Sequence, residues 1–304
     1  MTAARILLLL LLVLAVWIVV DRGGAWLDQI GDFSWDPSWP SLTASFVLLG
    51  LSYYSIPLGW GVLSRKAGCR AGTGELRNVW FVSQLGRYVP GKIWLFAGRA
   101  AFLKSRGLSG FRATSVPFLE LLYTAAGAGL AALPFALFST GSVFSSTALK
   151  GAVVTAGASL LVVPFLRPLQ RWLYGLKYGR SPEELPLPRF AVSMGLLLFY
   201  AANWLVRGVS LYLWITGFGI GQVSLPVCLA AAPLSWLAGY IVFLVPGGVG
   251  IREAVATAML ASSGQTGPFL AVIAGERLIL SVFEVSFALA GARGTGLVGK
   301  RGTN

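Results

Sequence analysis

Histidine does not occur in the 304 residues, and cysteine occurs twice. Without histidine there is no imidazole metal ligand, no Ser-His-Asp triad and no imidazole proton switch. Cys69 and Cys228 lie far apart in different contexts, so neither a disulfide framework nor a cysteine metal site follows. Charge is also sparse, at 12% of residues, where soluble domains average about 25%. Acids are the scarcest, 11 against 24 Lys and Arg, for a net charge of +13. No basic block resembles a nucleic-acid patch, and no Asp-x-Asp pair or metal-ligand spacing is present. Neither nucleic acid as a partner nor a cofactor is therefore expected.

What is abundant is apolar: 56% of residues are hydrophobic. This composition predicts an all-α integral membrane protein, a single polytopic domain over 1–304. Six runs read as full spans: Ile6–Val20, Leu42–Leu63, Thr114–Phe138, Leu149–Leu166, Phe190–Phe218 and Phe269–Ala290. Two further pairs of segments, Val79–Tyr88 with Lys92–Lys104 and Leu234–Val245 with Ile251–Ala261, are mostly too short to cross as helices. Pro90 lacks an N–H and turns Val89 away from helix, so each pair reads as a re-entrant hairpin of two half-helices. Broken backbone of this kind is tolerated at depth only where it is buried in protein or lines a cavity. An eight-span arrangement, with Leu225–Val245 and Ile251–Ala261 both crossing, satisfies the same parity. Arg65–Arg77, Arg167–Arg189 and the tail are basic, whereas Ser139–Thr147 and Gly219–Ser224 carry no charge. The asymmetry predicts cytoplasmic termini and residence in the inner (cytoplasmic) membrane.

The chain is organised around Gly86-Arg87-Tyr88-Val89-Pro90-Gly91-Lys92, an aromatic stretch with cations and a Pro-Gly break. It returns to the idea at Val245-Pro246-Gly247-Gly248-Val249-Gly250-Ile251-Arg252-Glu253. Pro90 and Pro246 are 156 residues apart, as are Trp80 and Trp236, and Glu120 and Glu276. The shared spacing predicts an internal duplication, repeat 1 at about 1–140 and repeat 2 at about 145–294. An odd number of full crossings in each would make the second copy inverted.

A charged group at the bilayer centre is costly and usually serves a pathway. The set here is Arg87, Lys92, Arg99, Glu120, Arg207, Arg252, Glu253, Glu276, Arg277 and Glu284. Pro90-Gly91 and Pro246-Gly247-Gly248 each precede a half-helix whose free N–H groups, with Lys92 or Arg252 beside them, suit a phosphate. The glycines equally suit close helix packing. Lys92, Phe96 and Arg99 share a face, which either binds a ligand or snorkels to the headgroups. Asn203, Arg207 and Ser210 form a polar stripe, open to ligand contact or to pairing with an acid on another span. Glu120, and Glu276 with Arg277, either neutralise the motif cations or couple protons. Trp80, Trp94 and Trp236 are placed to edge a polar groove.

These motifs, with Glu276-Arg277-Leu278, resemble the lysylphosphatidylglycerol synthase transmembrane region family, the flippase-like domain, over nearly the whole chain. In the two-part aminoacyl-phosphatidylglycerol synthases this region is the lipid flippase, followed by a soluble aminoacyltransferase domain. That domain is not expected here, so synthesis of lysyl-lipid is not implied. Stand-alone relatives are linked to polyprenyl-phosphate and cell-envelope glycolipid pathways. The resemblance implies a transporter rather than an enzyme, moving an anionic phospholipid or polyprenyl-phosphate-linked lipid between leaflets. A membrane-embedded lipid-linked glycosyltransferase, or a non-transporting partner of a separate lipid or glycan synthase, is the alternative.

Overall fold

The computed structural model describes residues 25–89, 93–138, 187–220, 223–241, 245–261 and 265–294. Ile6–Val20, Leu149–Leu166, Ser139–Thr147, all of Arg167–Arg189 before Leu187, and Pro90, Gly91 and Lys92 lie outside the described residues. The described chain is helical: α1 Trp39–Lys66, α2 Thr73–Gln84, α3 Ile93–Ser105, α4 Gly110–Phe138, α5 Phe190–Gly217, α6 Leu225–Ile241, α7 Ile251–Leu260 and α8 Thr266–Gly294. Short 3-10 turns, Leu85–Tyr88 and Pro246–Gly248, stand between the members of the two broken pairs.

Among the described residues three helices are long and apolar enough to cross a membrane: α1, α5, and Gly110–Phe135 within α4. At about 1.5 Å per residue, the 28 residues of α1 and of α5 reach about 42 Å, beyond the roughly 30 Å of hydrocarbon. α8 matches α4 in length at 29 residues but carries Glu276, Arg277 and Glu284 along it. Its exposed Leu278, Val282, Val285 and Leu289 recur at i, i+4, i+7 and i+11, an apolar stripe away from those charges. Val47, Leu51, Tyr54 and Leu58 do the same on α1. Arg65 and Lys66 close α1, where they complement the helix dipole and suit a headgroup layer.

The short helices fall where the Pro-Gly breaks predict them, with two differences. α2 begins at Thr73 rather than Val79, inside the expected basic loop. Its polar first turns are accommodated because Glu75 pairs with Arg106, and Arg77 donates to the Tyr54 hydroxyl and lies 5.2 Å over that ring. α6 begins at Leu225 rather than Leu234, with Pro226 in its first turn, where a missing N–H costs nothing.

Packing joins elements far apart in the chain. α1 lies against α5, antiparallel, because Ser45 meets Ser210 and Ser52 meets Asn203. α2 packs on α8 and α4 on α6, and the two 3-10 turns touch. A shift of 156 residues carries Gly110–Phe138 onto 266–294, the bounds of α8. A large core joins α1, α2, α4 and α5 around Trp60, Tyr53, Tyr123 and Tyr200, and a smaller one joins α5, α6 and α8 around Ile215 and Phe269.

Candidate functional site

Both breaks are tied down from α8. At the first, Arg87 pairs with Glu284 and donates to Gln84, while the Tyr88 hydroxyl donates to the other Glu284 oxygen at 2.6 Å. Glu284 is 1% exposed, so its two oxygens are spent on the turn. At the second, Gly247 and Gly248 take φ of 62° and 68°, a backbone that side chains disfavour. Arg277 donates to the Gly247 carbonyl at 2.6 Å and lies 3.3 Å from Glu253. Glu253 also accepts from the Gly250 N–H at 2.6 Å, a cap on the exposed start of α7. Glu253 and Arg277 are thus fasteners of the break. Arg277 turns to Glu253, not to the adjacent Glu276. Among the described residues, the sequence had assigned no role to Glu284, the acid that holds the first turn.

Arg99 does not snorkel. It is 2% exposed, pairs with Glu120, donates from Nε to Ser83 at 2.7 Å and stacks over Trp60 and Trp80 at 5.3 and 5.0 Å. Trp80 donates its indole N–H to the other Glu120 oxygen at 2.6 Å. This cluster closes on itself.

Arg207 and Arg252 differ. Among the described residues neither has an acid within 4.0 Å. Arg207 lies 5.1 Å over Trp204 and Arg252 lies 5.9 Å over Trp236. The two indoles are 5.1 Å apart, so the row reads Arg207, Trp204, Trp236, Arg252. Cation–π contact holds each guanidinium in place without consuming its in-plane donors. The Arg252 Nε is buried with no hydrogen-bond partner. Gly239 lies beneath that side chain: a Cβ there would come within 2.8 Å of Nε. Trp204 is oriented by donating to the Thr124 carbonyl at 3.0 Å.

The row borders a cavity between the broken pairs, enclosed by α2, α3, α4, α5, α6, α7 and α8, with about 810 Å³ of unfilled space including its mouth. A second cavity of about 510 Å³, mouth included, is bordered by the same two arginines and the same two indoles. Glu276 and Ser235 line this second space. Of the sequence-expected site residues, Arg87, Arg99, Glu120, Arg207, Gly247 and Arg252 share the first cavity, and Glu253, Glu276 and Arg277 reach the second. Gly248 packs against the Gly239 backbone, and Pro246 begins the second turn. Trp80 and Trp236 edge the cavity as expected, whereas Trp94 is 61% exposed on the outside. The Asn203 stripe divides: Asn203 and Ser210 bond α1, and Arg207 turns to the cavity. Trp204 was not anticipated, although it precedes Arg207 by one helical turn. Among the described residues no group of acids and cysteines could hold a metal ion. Comparison of the chain with protein-family models and with curated proteins finds no match.

Proposed function

We propose that this protein carries an anionic, phosphate-bearing lipid between membrane leaflets, with the head group passing through the cavity between the two broken helix pairs and its tails remaining in the bilayer. The observation that carries the reading is the pair Arg207 and Arg252, whose charges no described acid neutralises within 4.0 Å. Arg207 stands within one turn of the centre of α5, a helix long enough to span. Placing a charged side chain there costs about 2.5–3.5 kcal/mol on insertion scales, so an uncompensated pair points to a ligand of opposite sign. A phosphate leaving water needs fixed donors and cations in place of its hydration, and two indole-backed guanidiniums supply both. The antiparallel α1 and α5 and the matched α4 and α8 support an inverted duplication, the plan in which a midplane site is exposed alternately to each side. On this reading the chain is a member of the flippase-like family it resembles, in the inner membrane with both termini cytoplasmic.

The test is a leaflet-resolved assay of a fluorescent anionic phospholipid in liposomes. Arg207→Gln and Arg252→Gln should each slow transport at least about tenfold, a loss of about 1.4 kcal/mol of barrier stabilisation, with normal protein levels. Arg252→Lys should recover part of the rate, because charge remains but the planar fork is lost. Parental rates in both neutral variants would refute the site. Product formation without movement would instead identify an enzyme.

A further inference from the structure

Glu276 is a carboxylate that neither the breaks nor the closed cluster uses. It has no ion pair within 4.0 Å among the described residues, yet it lines the second cavity together with Arg207 and Arg252. The cationic charges acting on it are those of Arg207 and Arg277. Arg277 is already engaged by Glu253 and the Gly247 carbonyl. Arg207 and Arg252 are therefore the cations of this cavity with no acid partner among the described residues, and of the two it is Arg207 for which Glu276 is the foremost opposite charge. The two line the same cavity and form no ion pair within 4.0 Å. Arg207 also borders the first cavity, where the proposed phosphate would lie.

Resting on that transport reading, we propose that Glu276 is the counter-charge of Arg207 in the empty carrier, and that the lipid phosphate displaces it. Carboxylate and phosphate compete for one guanidinium, which borders both cavities. In the empty state the carboxylate offsets an otherwise bare cation. In the loaded state the phosphate takes the donors of Arg207 and Arg252, and the nearby carboxylate repels it. That repulsion keeps binding weak enough for release on the other side, as a carrier requires. No covalent bond or proton transfer is involved; the exchange is one of ion partners. An ion pair closed as tightly as Arg99–Glu120 could not serve, because opening it would strand a buried charge.

The discriminating experiment measures binding of a short-chain phosphatidic acid to the detergent-solubilised full chain, followed by transport in liposomes. Glu276→Gln keeps the shape and removes the charge. It should tighten binding on the order of threefold or more and slow dissociation, since like-charge repulsion acts on the bound anion. In transport the half-saturating lipid level and the maximal rate should both fall, a split that lost packing would not produce. Glu276→Asp, which keeps the charge, should stay near the parental values. Unchanged or weaker binding in Glu276→Gln overturns the proposal, as does failure of that variant to fold, which would mark a static ion pair. Arg207→Gln and Arg252→Gln separate the two layers. If they lose the ligand while Glu276→Gln does not gain it, the counter-charge alone is wrong. If they bind as the parent does, the anion site is wrong as well.

Discussion

Glu120 and Glu276 occupy matching places, 156 residues apart, on two helices of 29 residues each. Their surroundings are opposite. Glu120 is 5% exposed, pairs with Arg99 and accepts from Trp80, so both oxygens are used. Glu276 borders a cavity and has no ion pair among the described residues. The difference is decided by the neighbours. The helix after the first break, α3, brings Arg99 to Glu120, while the helix after the second, α7, brings Glu253, another acid, which takes Arg277 away from Glu276. One scaffold thus yields a closed charge cluster that fastens helices and an open one with cations to spare.

Breaking the closed side should have the largest effect. Glu120→Gln strands Arg99 in the interior, at a cost of about 3–5 kcal/mol. It should appear as a marked loss of folded protein in a thermal assay, before any transport is measured. A variant as stable as the parent would show that the two acids are equivalent after all. Glu284→Gln should follow. Arg87 is part exposed, so the damage is smaller, about 1–3 kcal/mol for a weakened charged hydrogen-bond set. The same thermal assay reads it, and proteolysis at Leu85–Tyr88 should become easier. On the open side Arg207→Gln should change stability by no more than about 1 kcal/mol, the scale of one cation–π contact, while transport falls. Loss of both together would make Arg207 a structural residue. The smallest effect belongs to Gly239→Ala, whose Cβ displaces the Arg252 side chain. Transport should drop severalfold with little loss of stability; parental transport in Gly239→Ala would show that the placement of the Arg252 side chain does not matter.

The broken helices were legible because their cause is local. Pro and Gly act on their own backbone, so a half-helix ends at Val-Pro-Gly wherever the chain runs. The long helices were legible for a similar reason: Thr114–Phe138 against the observed Gly110–Phe138, and Phe190–Phe218 against Phe190–Gly217, differ only at their ends. Of the two early starts, that of α2 escaped because it begins in residues that read as loop, Thr73-Gly74-Glu75, and that of α6, at Leu225, belonged only to the eight-span arrangement. A partner across the fold, Arg106 for Glu75, stabilises the first of these from far along the chain.

By itself the sequence determined that the chain is helical and suited to a membrane, where it breaks, and which polar residues stand among apolar ones. Composition and spacing carry that much, since a helix satisfies its own backbone and its rare charges stand out. Which charge meets which was decided only by the tertiary structure. Arg87 finds Glu284 nearly two hundred positions away, Arg277 passes over its neighbour Glu276 for Glu253, and Arg207 turns from the stripe it shares with Asn203 and Ser210 to face the cavity. Ion pairing depends on separations of a few ångströms between side chains of different helices, and those separations exist only once the helices have packed.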